Sequence, residues 1–110
     1  MHIRQEFRED TTCRILNYLE MVKTALSTSR VRPTSYQIDA GLVVVPSEFV
    51  KLNRGQINWT AFTAVFFGER LLRKIDQDNR IRLPLKGRIS AGDVFELSIF
   101  GGELVITKLD

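Results

Sequence analysis

A chain of 110 residues, 44% hydrophobic and 26% charged, has the length of one domain and the composition of an ordinary globular protein. Its net charge of +3 is too small to demand a polyanionic partner, and a single cysteine excludes an intramolecular disulfide and fits a reducing compartment. No apolar run approaches the roughly 20 residues of a membrane-spanning helix, and the charged N-terminus lacks a secretory pattern, so an intracellular location is expected, cytoplasm or nucleoid or nucleus.

Residues 10–28 read as an amphipathic helix. Ile15, Leu19, Val22 and Leu26 recur at helical spacing along one stripe, and Asp10 or Thr11 suits the N-cap. That stripe is expected to pack on the rest of the chain; docking to a second copy or a protein partner is the alternative. Residues 29–35 form a polar connector, because Pro33 biases Arg32 away from helical angles.

From residue 36 onward the pattern is that of strands, arranged as two related stretches, 36–76 and 75–110. Ile38-Asp39 followed by Val43-Val44-Val45-Pro46 parallels Ile75-Asp76 followed by Arg80-Ile81-Arg82-Leu83-Pro84. Gly55-Gln56 parallels Gly92-Asp93, and Phe67-Gly68-Glu69 parallels Gly101-Gly102-Glu103. In the first stretch Pro46 opens a short helical turn over residues 46–52. Residues 57–66 are ambiguous: threonine, valine and aromatics favour strand, whereas Trp59, Phe62 and Phe66 also fit one side of a helix. Strand is the preferred reading.

The clearest signal is a hairpin over residues 93–109. Phe95, Leu97 and Ile99 alternate with Val94, Glu96 and Ser98, and Gly101-Gly102 accepts the positive φ of a two-residue primed turn. That turn sets Ile99 opposite Leu104, Leu97 opposite Ile106 and Glu96 opposite Thr107.

The order Asp76, Arg80-Ile81-x-Leu83-Pro84, Gly92-Asp93 and a hairpin ending in Glu103-Leu104-Val105-Ile106-Thr107-Lys108 resembles the swapped-hairpin DNA-binding modules of AbrB, MazE and MraZ type. Gly92-Asp93 is similar to the GD box of the wider cradle-loop barrel group. The likeness covers about a third of the chain and departs at residues 85–91, which are short for the helical turn that the family carries there. Val45-Pro46 with Ile57-Asn58-Trp59 and Phe67 to Leu71 bears a weaker resemblance to the BEN domain. The expected fold is therefore α+β: an N-terminal helix, then a mostly β body of two hairpin-containing repeats, as a swapped hairpin or small cradle-loop barrel.

Enzyme chemistry is not expected. His2 is the only histidine, Cys13 has no histidine to activate it, and Asp76 and Asp78 lie beside Arg80 in a polar turn. No metal ligand set or cofactor motif is present, so no cofactor is expected. The positive expectation is a small DNA-binding transcriptional regulator acting as a homodimer. The resemblance implies that the segment before the hairpin presents Arg80, Arg82, Lys86 and Arg88 to DNA, with Lys51 and Arg54 contributing from the first stretch. Arginine grips phosphates and guanine edges through a bidentate fork, which suits it to that task. The alternative is a protein-interaction module, a small β-barrel with a docking helix, whose contact surface is Trp59, Phe62, Phe66 and Phe67.

Overall fold

The computed structural model describes residues 28–110, so all but the last residue of the expected helix over 10–28 lies outside the described residues, as do His2 and Cys13. The described residues form a small mixed α/β domain, mostly strand, with two short helices. In chain order these are β1 (Ser29–Val31), α1 (Ser35–Ala40), β2 (Leu42–Val44), α2 (Ser47–Leu52), β3 (Phe62–Phe66), β4 (Glu69–Arg73), β5 (Arg80–Arg82), β6 (Val94–Phe100) and β7 (Glu103–Leu109).

The C-terminal hairpin has the expected register, with Ile99 opposite Leu104, Leu97 opposite Ile106 and Glu96 opposite Thr107. Gly101 and Gly102 carry φ of 58° and 76°, which is the primed turn that the strand twist selects. Residues 62–73 are strands rather than helix: β3 and β4 form a second hairpin closed by Phe67 and Gly68 at φ of 49° and 79°. The burial pattern explains the ambiguity. Phe62, Ala64 and Phe66 alternate inward, and Trp59 lies on the loop before the strand rather than within a helix.

β3 pairs parallel with β7, joining the hairpins into a five-stranded sheet ordered β1-β6-β7-β3-β4. Both sheets are open, so the closed barrel expected from the sequence is not formed. Closing it would require β4 to pair with β1, which adds to the far side of β6 with Arg30 opposite Glu96, and the two edge strands do not pair. The segment expected as a connector is thus partly strand, because a ladder needs only backbone groups and tolerates the polar Ser29-Arg30-Val31. α1 was likewise not expected. Thr34 caps it reciprocally with Gln37, the Thr34 hydroxyl accepting from the Gln37 N–H at 3.3 Å and Gln37 Oε1 accepting from the Thr34 N–H at 2.8 Å.

β2 and β5 form a separate antiparallel ribbon centred on Val43 opposite Ile81. Its ends match. Val45 N–H donates to Asn79 O at 2.7 Å, and Leu83 N–H donates to Gly41 O at 2.8 Å. Gly41 and Asn79 both hold left-handed backbone, at φ of 68° and 58°. Beyond each ribbon strand a proline ends the strand: the helix α2 follows Pro46, and a hydrogen-bonded turn, in which Arg88 and Ile89 N–H donate to Leu85 O, follows Pro84. Residues 85–91 form a hydrogen-bonded turn with Gly87 in left-handed backbone, not a helix, as their shortness implied, and Leu85 and Ile89 are buried. The core lies between ribbon and sheet. Val43, Ile81, Leu83 and Leu85 meet Phe66, Phe95, Leu97 and Leu104, each at most 2% exposed.

Candidate nucleic-acid interface

Arg80 is the first of the basic residues expected to meet DNA, and the structure gives that side chain a local task. In the turn before β5 the Asp76 carboxylate accepts from the backbone N–H of Asp78 and Arg80, both at 2.9 Å, and from Arg80 Nε at 3.0 Å. Arg80 also meets Asp78 at 3.2 Å. The Arg80 backbone donor, foremost, together with its guanidinium and the Asp78 N–H, holds the Asp76 carboxyl below its ordinary value despite some desolvation. Aspartate suits this place because its short side chain reaches the N–H groups two and four residues ahead.

Arg88 is engaged as well. Its guanidinium forks onto Glu69 at the start of β4, Nη1 and Nη2 donating at 2.9 and 3.1 Å, which lowers the Glu69 pKa and raises that of Arg88. Asp93 closes the turn Ser90–Asp93 that contains Gly92. It accepts from the Ser90 N–H at 2.8 Å, and that bond leads in keeping its carboxyl low, with Lys108 adding at 3.5 Å. Carboxylates held ionised in this way are poor proton donors, and no group of three or more His, Cys, Asp or Glu among the described residues could hold a metal.

The other cations are free. Arg82, Lys86, Lys51 and Arg54 are exposed and form no ion pair among the described residues. Arg82 lines a cleft of about 590 Å³ where the ribbon meets the end of β4, with Leu42, Ala61 and Leu72 as apolar wall. Arg73 and Lys74 line the same cleft and were missed from the sequence. The signal for them was the run Arg70-Leu71-Leu72-Arg73-Lys74, whose charged positions acquire meaning only once β4 is an edge strand. Asp76, the sole acidic residue in the cleft wall, is already committed to Arg80. Arg73 Nη1 donates to Leu72 O at 2.7 Å, while its buried Nε has no partner. Lys51, Arg54, Lys86 and Arg88 do not line this cleft, so the six predicted contacts do not converge on one pocket.

The predicted aromatic contact surface is corrected by burial. Trp59, Phe62 and Phe66 are 8%, 3% and 0% exposed and stack edge-on among core rings, Trp59 against both Phe49 and Phe62. The burial of Phe62 and Phe66 follows from β3 lying between β7 and β4, its inward face covered by the core, and Trp59 packs beside them from the preceding loop. Phe67 alone is exposed, and its ring leans on Phe66 at a centroid distance of 4.7 Å.

No protein-family model, curated protein or solved structure matches the chain. No helix among the described residues is long and apolar enough to cross a membrane.

Proposed function

We propose that this protein binds DNA and acts as a small transcriptional regulator, using the ribbon and the cations beside it. The observation that carries the reading is charge that remains after internal pairing. Of twelve lysines and arginines in residues 28–110, five are ion-paired to carboxylates among the described residues, which leaves seven cations against three carboxylates, Asp39, Glu48 and Asp110, without an ion pair among them. Three of the seven, Arg73, Lys74 and Arg82, line one cleft. Unneutralised cations gathered on one surface attract a polyanion and release its counterions, whereas ion-paired ones contribute little.

The fold reading that accompanies this is a duplicated swapped hairpin. Each stretch supplies a ribbon strand ended by proline and a hairpin, with a short helix after the proline in the first and a turn in the second, and the ribbon strands pair about a local two-fold at Val43 and Ile81. The parallel pairing of β3 with β7 sets the two hairpins side by side in one sheet. The contact residues are revised accordingly. Arg82 and Lys74 lead, with Lys51, Arg54 and Lys86 as outlying phosphate contacts, and Arg80 and Arg88 brace the turns that present them.

Fluorescence anisotropy with duplex DNA tests this. Arg82→Ala weakens retention and leaves the thermal midpoint unchanged, because its side chain is exposed and unpaired. Arg80→Ala lowers the thermal midpoint as its first effect. Equal affinity of wild type and Arg82→Ala removes the proposed contact surface.

A further inference from the structure

We propose that β4 is the seam of a homodimer, in which two copies pair antiparallel about Leu71 and join their sheets into one. β4 is an edge of the five-stranded sheet, and it is neither short of pairing groups nor covered by another described element. Glu69 closes a two-residue turn opposite Phe66, so it belongs to a bonded pair, and bonded pairs alternate along an antiparallel ladder. The N–H and C=O of Arg70 and Leu72 therefore point outward. The Leu72 carbonyl bears this out, since it accepts from the guanidinium of Arg73 rather than from β3. Leu72 is 75% exposed, an apolar side chain on an open edge, which natural sheets ordinarily guard against.

What selects a second copy as the occupant is the charge pattern of Glu69-Arg70-Leu71-Leu72-Arg73. Outward-pointing residues must face outward-pointing residues, which allows a two-fold at any residue of β4, and centres at Glu69 or Arg73 set like charges opposite themselves. Centring on Arg70 sets two arginines opposite each other, and centring on Leu72 sets Arg70 opposite Lys74; like charges directly opposite are unfavourable. Centring on Leu71 sets Glu69 opposite Arg73 and Arg70 opposite Leu72, with no like pair. In that register Arg70 and Leu72 exchange both backbone hydrogen bonds with the second copy, on each side of the axis. The Arg70 N–H takes over the Leu72 carbonyl, and the displaced Arg73 guanidinium, whose Nε lacks a partner, turns to the second copy's Glu69. An isologous seam of this kind is self-limiting, because the two-fold uses the β4 edge of both copies at once. The proposal does not rest on the DNA reading and survives its failure; it takes Leu72 and Arg73 out of the cleft wall and leaves Lys74 and Arg82 as that reading's leading contacts.

Sedimentation velocity on the full chain tests the seam. Wild type sediments as a dimer, twice 12.6 kDa, at micromolar concentration. Leu72→Pro removes one outward N–H and none of the bonds to β3, so it retains the wild-type circular dichroism and dimerises roughly tenfold more weakly or worse. Register is read by oxidation in a Cys13→Ser background. Leu71→Cys faces its own copy in a non-bonded pair, where a disulfide reaches easily, and crosslinks; Leu72→Cys, facing Arg70, does not. A wild-type monomer, including one whose edge is covered by its own residues 1–27, overturns the proposal. So does a Leu72→Pro variant as dimeric as wild type, or crosslinking through Leu72→Cys instead of Leu71→Cys.

Discussion

Gly41 and Gly87 share nearly the same backbone, at φ of 68° and 80°, and differ in what a side chain would meet. A Cβ at Gly87 has nothing within 4 Å, so Gly87→Ala costs only the left-handed penalty of about 1–2 kcal/mol. A Cβ at Gly41 would stand 3.0 Å from the Leu83 carbonyl oxygen, which is backbone and cannot rotate away. Leu83 is the residue whose N–H donates to Gly41 O at 2.8 Å at the end of the ribbon. Relieving the contact stretches that bond, at a further cost of about 1 kcal/mol. Alanine restricts the unfolded chain equally at both sites, so that offset cancels in the comparison. Gly41→Ala is thus expected to lose about 2–3 kcal/mol, and to melt about 4 °C or more below Gly87→Ala. Urea and thermal unfolding followed by circular dichroism read the difference, and amide exchange at Leu83 and Val45 quickens in the same variant. A Gly41→Ala protein at least as stable as Gly87→Ala refutes the close approach of the ribbon ends.

Two further expectations concern the core and acid. Phe66→Ala, at a fully buried position, costs about 3–5 kcal/mol in chemical denaturation, and a cost under about 1 kcal/mol would mean the site is not packed as described. Asp76, Asp93 and Glu69 all have folded pKa values depressed below their ordinary ones. Their contribution is therefore complete above the unfolded values of 3.8 to 4.5 and is lost as pH falls through the lower folded values. Stability falls as the solution is acidified below about pH 4, and Asp76→Asn flattens that dependence; an identical acid profile in the variant contradicts the turn assignment.

The C-terminal hairpin was legible because two independent signals, alternation and a Gly-Gly turn, fix the same register. The β3–β4 turn was not, taken alone. Phe67 sits at φ of 49°, a conformation costly for an aromatic residue, and its ring is held on Phe66 and Phe95. Only its parallel with Gly101-Gly102 pointed there. Thr34 and Gln37 carried a capping box in plain view, yet a six-residue helix offers too little periodicity to notice. β1 was hidden for another reason: Arg30 contributes a backbone partner to β6 and a loose 3.9 Å approach to Glu96, neither of which leaves an apolar pattern.

The same limit governs the site. A basic count over residues 80–88 treats each cation alike, while the Arg88–Glu69 bond spans 19 residues and Arg80 closes on the acids before it. Which cations stay free is a property of tertiary contacts. Pairing in space also moved the centre of positive charge toward Arg73 and Lys74, which the linear segment excluded.

The DNA-binding claim is tested most directly by the slope of log affinity against log salt for duplex DNA. With Lys51, Arg54, Lys74, Arg82 and Lys86 each meeting a phosphate, the slope is about −4.5 per copy, and replacing Lys74 and Arg82 by alanine makes it shallower by about 1.8. A slope near zero, or one that the two replacements leave unchanged, contradicts the claim.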